Sequence, residues 1–170
     1  MVNVIIVAVF SVFTFFGCSS GEDFDEETSP YEYERQKVEK FSIKQTRKGK
    51  INMKVEGESA VINGKEVANI HRPVMKFYEE GDYGSTLTAE SAEVNMETYD
   101  IRCVGKCTVQ SAKNERLETT DLMYNAENKL IYSYSPIVFE KPGETVRGSS
   151  FQSDAKLNNV IIKNQRIVLD

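Results

Sequence analysis

Histidine is nearly missing from this 170-residue chain, tryptophan is absent and cysteine occurs only three times. With His71 as the sole imidazole, most histidine-based catalytic sites and any multi-finger zinc array are excluded. No Ser or Cys nucleophile shares a motif with His71, and no glycine-rich phosphate loop occurs. The sequence therefore offers no catalytic residue, no metal ligand set and no cofactor site. Cys103 and Cys107 stand four residues apart on one face of an expected strand, about 13 Å apart at 3.3 Å per residue. A disulfide needs Cα atoms within roughly 7 Å, so they read as buried thiols unless a bulge at Gly105 intervenes.

Charge is also scarce where it would matter. The formal net charge is −5, but it is concentrated in residues 19–36, where seven acids (Glu22, Asp23, Asp25, Glu26, Glu27, Glu32 and Glu34) face Arg35 alone. Residues 37–170 hold 20 basic and 19 acidic side chains. That balance points neither to nucleic acid nor to a strongly charged substrate.

Val2 to Phe16 is apolar apart from Asn3, Ser11 and Thr14. At 1.5 Å per residue it spans only about 22 Å, short of the ~30 Å hydrocarbon core. It ends in Phe16-Gly17-Cys18-Ser19-Ser20, a small residue followed by cysteine, which resembles a bacterial lipobox. The expectation is a cleaved signal over 1–17, with Cys18 lipidated and holding the chain to a membrane. An uncleaved amino-terminal membrane helix is the alternative. Residues 18–36 follow as an acidic, aperiodic tether, and 37–170 as the folded domain.

In that domain apolar residues alternate rather than follow a helical period: Ile51, Met53, Val55; Ile101, Cys103, Gly105, Cys107, Val109; Ile137, Phe139. Turn signals separate the runs at Asn63-Gly64, Glu80-Gly81-Asp82, Asn125 to Asn128, Pro142-Gly143 and Asn158-Asn159. The expected fold is all-β and antiparallel. Val55, Ala60, Ile62, Asn63 and Phe77 match Leu87, Ala92, Val94, Asn95 and Val109, then Leu117, Leu122, Tyr124, Asn125 and Phe139. A fourth fragment is expected at Ala155-Lys156-Leu157-Asn158. Repeats of about 30 residues mean stacked supersecondary units that bury their apolar faces only together. Phase changes at Ala89–Ala92 and Thr119–Leu122 predict corners where strands pass between two sheets.

Several stretches carry a family resemblance in series: Ser85-Thr86-Leu87-Thr88-Ala89-Glu90-Ser91-Ala92, Ile101 to Val109, Leu117-Glu118-Thr119-Thr120-Asp121-Leu122-Met123-Tyr124, Ser135-Pro136-Ile137-Val138-Phe139, and Val146 to Asp154. Behind an amino-terminal anchor, they resemble the LptC family of lipopolysaccharide export. The resemblance implies an elongated antiparallel β-jellyroll of the LptA/LptC type on the periplasmic side of the inner membrane. Such a subunit would take lipopolysaccharide from the inner-membrane ABC transporter and pass it to an LptA-like bridge protein, with the lipid A acyl chains between the sheets. Val55, Phe77, Leu87, Ile101, Val109, Leu117, Ile137, Phe139 and Phe151 are the candidate groove residues. A dry core is the competing account of the same nine. Val160 to Asp170 reads as one terminal strand whose free edge, at Ile162, Ile167 and Leu169, would receive the bridge protein. Val38 to Thr46 would dock on the transporter. Two other readings stand beside this one. One is a tethered, protein-binding jellyroll that carries no lipid; the other is an enzyme such as a periplasmic hydrolase, for which the sequence offers no nucleophile–base pair. Ser19 after Cys18 leaves outer-membrane sorting as the competing destination.

Overall fold

The structure is a computed structural model that describes residues 35–64 and 66–169. The expected signal segment, Cys18 and nearly all of the tether lie outside the described residues. Among those described, alternation yields strands throughout. They are β1 (Gln36–Arg47), β2 (Lys50–Asn63), β3 (Val67–His71), β4 (Val74–Glu79), β5 (Asp82–Thr88), β6 (Ser91–Asn95) and β7 (Ile101–Ser111). There follow β8 (Arg116–Asn125), β9 (Leu130–Ser133), β10 (Ile137–Lys141), β11 (Glu144–Gly148), β12 (Ser150–Asp154), β13 (Ile161–Lys163) and β14 (Arg166–Leu169).

All fourteen belong to one hydrogen-bonded antiparallel network, folded lengthwise into two half-sheets. The long strands β1, β2, β7 and β8 run through both. The first half of β7 pairs with β6 (Val94↔Ile101), and its second half pairs with β5 (Leu87↔Val109). Likewise β8 pairs with β10 at Leu117↔Phe139 and with β9 at Tyr124↔Ile131. The short strands β3, β6, β9, β12 and β13 thus form one half-sheet, and β4, β5, β10, β11 and β14 the other.

The fold line between them is a row of corners, and each has a local cause. In β7 two residues, Gly105 and Lys106, stand opposite Thr120 alone between the pairs Val104↔Asp121 and Cys107↔Thr119. This bulge is made possible by Gly105 at φ +89, a conformation costly for residues with a Cβ. Beside it β5 passes to β6 through Ala89-Glu90, and Arg72 N donates to Glu90 O at 2.9 Å. Gly148 makes the corner between β11 and β12; a Cβ there would collide with Ile162 and approach Lys163 O within 2.9 Å. Both expected phase changes, at Ala89–Ala92 and Thr119–Leu122, fall on this line.

The repeat is one trip out and back between the half-sheets. The second and third copies end at a side chain that caps its own turn: Asn95 Oδ1 accepts from the amides of Glu97 and Thr98 at 2.9 and 2.8 Å, and Asn125 Oδ1 from Asn128 N at 2.9 Å. The fourth copy is displaced from the expected one. Asp154 holds the turn position, accepting from Lys156 N at 2.8 Å and Asn158 N at 3.2 Å. Val146, Phe151 and Asp154 therefore correspond to Leu117, Leu122 and Asn125. The shift was hidden because Asp replaces Asn at the turn.

The terminal stretch is likewise not one strand. Asn164, at φ 50, breaks it into β13, which pairs with β12, and β14, which pairs with β11 on the other half-sheet.

Candidate functional site

Register across the second half-sheet places one residue from each of nine strands in a single row: Ile43, Val55, Met75, Leu87, Val109, Leu117, Phe139, Val146 and Ile167. At about 4.8 Å between strands the row is about 38 Å long. Seven of its members are buried between the half-sheets, while Ile43 and Ile167 at its ends are exposed. Five of the nine candidate groove residues belong to this row. Phe77 lies one register step away on β4. Ile101 and Phe151 face them from the opposite half-sheet, and Ile137 pairs with the corner glycine Gly148.

One end of the row borders a cavity. Between β1, β2, β3 and β6 lies an apolar cavity of about 500 Å³. Its floor is formed by Met53, Val55, Ala60, Ala68, Ile70 and Ile101, all buried. Its rim is made of Val38, Ile43, Met96 and Tyr99, all exposed. The volume is within the range of sites that hold small ligands. Of the nine candidates, Val55 and Ile101 line this cavity. Phe77 lines a second, more polar cavity of about 310 Å³ together with Tyr124, Lys129 and Asp154 to Lys156. Leu87, Val109, Leu117, Ile137, Phe139 and Phe151 are packed in the hydrophobic core.

Several cavity residues were missed in the sequence. Ala68 and Ile70 alternate in a strand too short to stand out, and Tyr99 is a turn residue at φ 62. Met75, a core member of the row rather than a cavity residue, shows the same alternation with Phe77 and could have been found by it.

Among the described residues no charged side chain is buried, but Lys44 lines the apolar cavity, and Lys129, Asp154 and Lys156 line the second. Arg116 and Lys106 lie beside Glu118 and hold its carboxyl below the ordinary carboxylate range. Arg102 pairs with Asp121 at 2.7 Å. Cys103 and Cys107 are free and buried; desolvation raises both thiols, Cys107 to about 11. Among the described residues no cluster of three His, Cys, Asp or Glu side chains is placed to hold a metal ion. Among the described residues there is no helix long and apolar enough to cross a membrane.

An antiparallel roll with two strand edges and an apolar cavity at one end is an elongated β-jellyroll. Its likeness to solved structures has the same character. Among them is LptH from Pseudomonas aeruginosa, described as the LptA-homologous periplasmic component of the conserved lipopolysaccharide transport device. That match has a TM-score of 0.55 at 13% identity, covering 69% of this chain and 94% of LptH. No curated sequence matches the chain. The profile of the family described as lipopolysaccharide-assembly, LptC-related, matches residues 4–169. The chain belongs to that family, and its role is in lipopolysaccharide transport.

Proposed function

We propose that the chain is the membrane-anchored periplasmic subunit that receives lipopolysaccharide from the inner-membrane ABC transporter and passes it to an LptA-like bridge protein. In this reading Cys18 is lipidated and residues 18–36 tether the jellyroll, 37–170, to the membrane. The acyl chains of lipid A enter the cavity floored by Val55 and Ile101, and the sugar headgroup stays in water. Each CH₂ transferred from water contributes about 0.8 kcal/mol, so an apolar trough holds a chain without any specific polar contact. The observation that carries this reading is the cavity of about 500 Å³ beside β1, lined almost wholly by apolar side chains.

The two ends of the roll are the proposed docking edges. Among the described residues β1 pairs only with β2, and β14 only with β11. An unpaired edge is satisfied by strand addition from a partner. We assign β1 to the transporter's jellyroll and β13–β14 to the bridge protein.

A photoreactive residue at Tyr99 or Ile101 in living cells tests the lipid route, with adducts blotted for lipopolysaccharide. The expected result is an adduct that disappears when ATP is depleted. Silence at both positions overturns the lipid route and favours the tethered jellyroll that binds proteins alone, for which the close-packed interior around Leu87, Val109 and Leu117 speaks.

A further inference from the structure

The apolar cavity stops at an aromatic pair. Met53 and Ile101 on its floor are the register partners of Phe77 and Tyr124. Phe77 and Tyr124 meet across the two half-sheets with ring centroids 5.0 Å apart and planes tilted by 46°. The pair thus stands one strand beyond the cavity floor on both half-sheets at once. On its other side is the second cavity, walled by the pair and by Ala155, Lys156, Asn158 and Asn159 of the loop between β12 and β13.

That loop, residues 155–160, closes the gap between the half-sheets with few ties. Lys156 pairs with Glu79 on β4, Ser85 Oγ on β5 donates to Ala155 O, and Lys113 Nζ donates to Asn158 Oδ1 at 2.6 Å. Glu79 is largely exposed, and exposed ion pairs are weak. The loop's most deeply buried residue is Leu157, 2% exposed in the core yet held at φ +64, a backbone conformation that is strained for a leucine; Ala155 and Val160 on either side are partly buried against the same core. A strained apolar plug whose ties to the neighbouring strands are one exposed ion pair, one lysine hydrogen bond and one hydroxyl bond from the buried Ser85 is suited to lifting as a unit.

We propose that residues 155–160 form a latch, which must lift before an acyl chain seated in the apolar cavity passes the Phe77–Tyr124 pair into the far half of the roll. The proposal rests on the lipid-relay reading above and adds the step that controls passage. With the latch down, the far half is the packed core seen here. With Leu157 withdrawn, the two cavities join along the inner faces of β4 and β8.

The test uses the full-length chain carrying Cys18→Ser, so that no thiol remains at the anchor, together with Glu79→Cys and Lys156→Cys, with and without a short bismaleimide joining them. Cys103 and Cys107 are buried with their thiolate forms suppressed, so they do not compete for the reagent. A photoreactive residue is placed at Tyr99, on the cavity rim, or at Phe139, in the far half, and purified lipopolysaccharide is the probe. The unlinked protein is expected to give adducts at both positions. Linking is expected to leave the Tyr99 adduct intact and lower the Phe139 adduct by about tenfold, since only the rare open fraction then admits a chain. Equal Phe139 adducts in linked and unlinked protein overturn the latch. So does a Tyr99 adduct with none at Phe139 in either form, because no chain then passes. Loss of the Tyr99 adduct itself is the distinct signature that the lipid-relay reading has failed.

Discussion

Ile43 on β1 and Ile167 on β14 are the two ends of one cross-strand row, separated by seven buried apolar residues. They are 57% and 50% exposed. Each is an apolar side chain at a sheet edge, where solitary proteins place charge or proline to prevent association. Lys44 beside the first and Arg166 beside the second supply some of that charge. The row therefore presents apolar surface to whatever pairs with either edge, continuous with the interior between them.

The two edges are expected to be separable. Ile167→Asp or Leu169→Asp should weaken binding of an LptA-like jellyroll by about tenfold or more, a charge buried by strand addition being costly. Both side chains are exposed in the free protein, Leu169 at 76%, so the melting temperature should change little. Ile43→Asp should leave that partner bound and weaken the transporter's jellyroll instead. Co-purification with each partner reads the difference, and unchanged binding by all three variants removes the edges from the assembly.

Burial along the row predicts unequal responses to truncation. Leu117→Ala should destabilise by about 2–5 kcal/mol, since its neighbours close in only partly on the void. Val55→Ala should cost less than about 2 kcal/mol, because the cavity already leaves one side of Val55 without packing partners. Urea unfolding of the two variants gives the comparison directly.

Gly105→Ala places a Cβ at φ +89, with the Glu90 carboxylate and Cβ at 2.5 and 2.6 Å. Strain at such a position amounts to about 1–3 kcal/mol. The expected loss is in that range. Hydrogen exchange should speed up first at the β5–β6 corner that packs on the bulge. A variant as stable as the parent would mean that the bulge is not needed to turn the strand.

The buried thiols set an alkaline limit. Desolvation raises Cys107 from 9.0 to about 11 and moves Cys103 in the same direction. Because the folded value lies above the unfolded one, the stabilisation is complete below pH 9 and is lost as pH rises toward 11. Urea midpoints should hold level from pH 7 to 9 and then fall, and Cys103→Ala/Cys107→Ala should flatten the decline. On the acid side Glu118 has the opposite sign: its lowered value contributes above the ordinary 4.5 and is lost as pH falls below it. Thiol reagents at pH 8 should label neither cysteine until the protein unfolds.

Alternation along β2, β7, β8 and β10 was enough to read an all-β roll, because each strand buries one face and the period of two leaves its mark on every such strand. The corners at Ala89–Ala92 and Thr119–Leu122 were legible for the same reason: passing from one half-sheet to the other puts two successive inward residues out of phase. Tertiary structure alone decided which of those inward residues border a cavity. Val55 and Leu117 occupy the same place in the repeat and on the same row, yet one faces the cavity and the other is packed solid. The difference is made by β1 lying across the open end and by Leu157 entering the core from a loop, both contacts between parts of the chain far apart in sequence. The break at Asn164 was likewise invisible in the apolar run Val160 to Leu169, since a change of half-sheet is set by which strand edges remain free. Periodicity records which face of a strand turns inward; how tightly that face is met depends on what arrives from elsewhere in the chain.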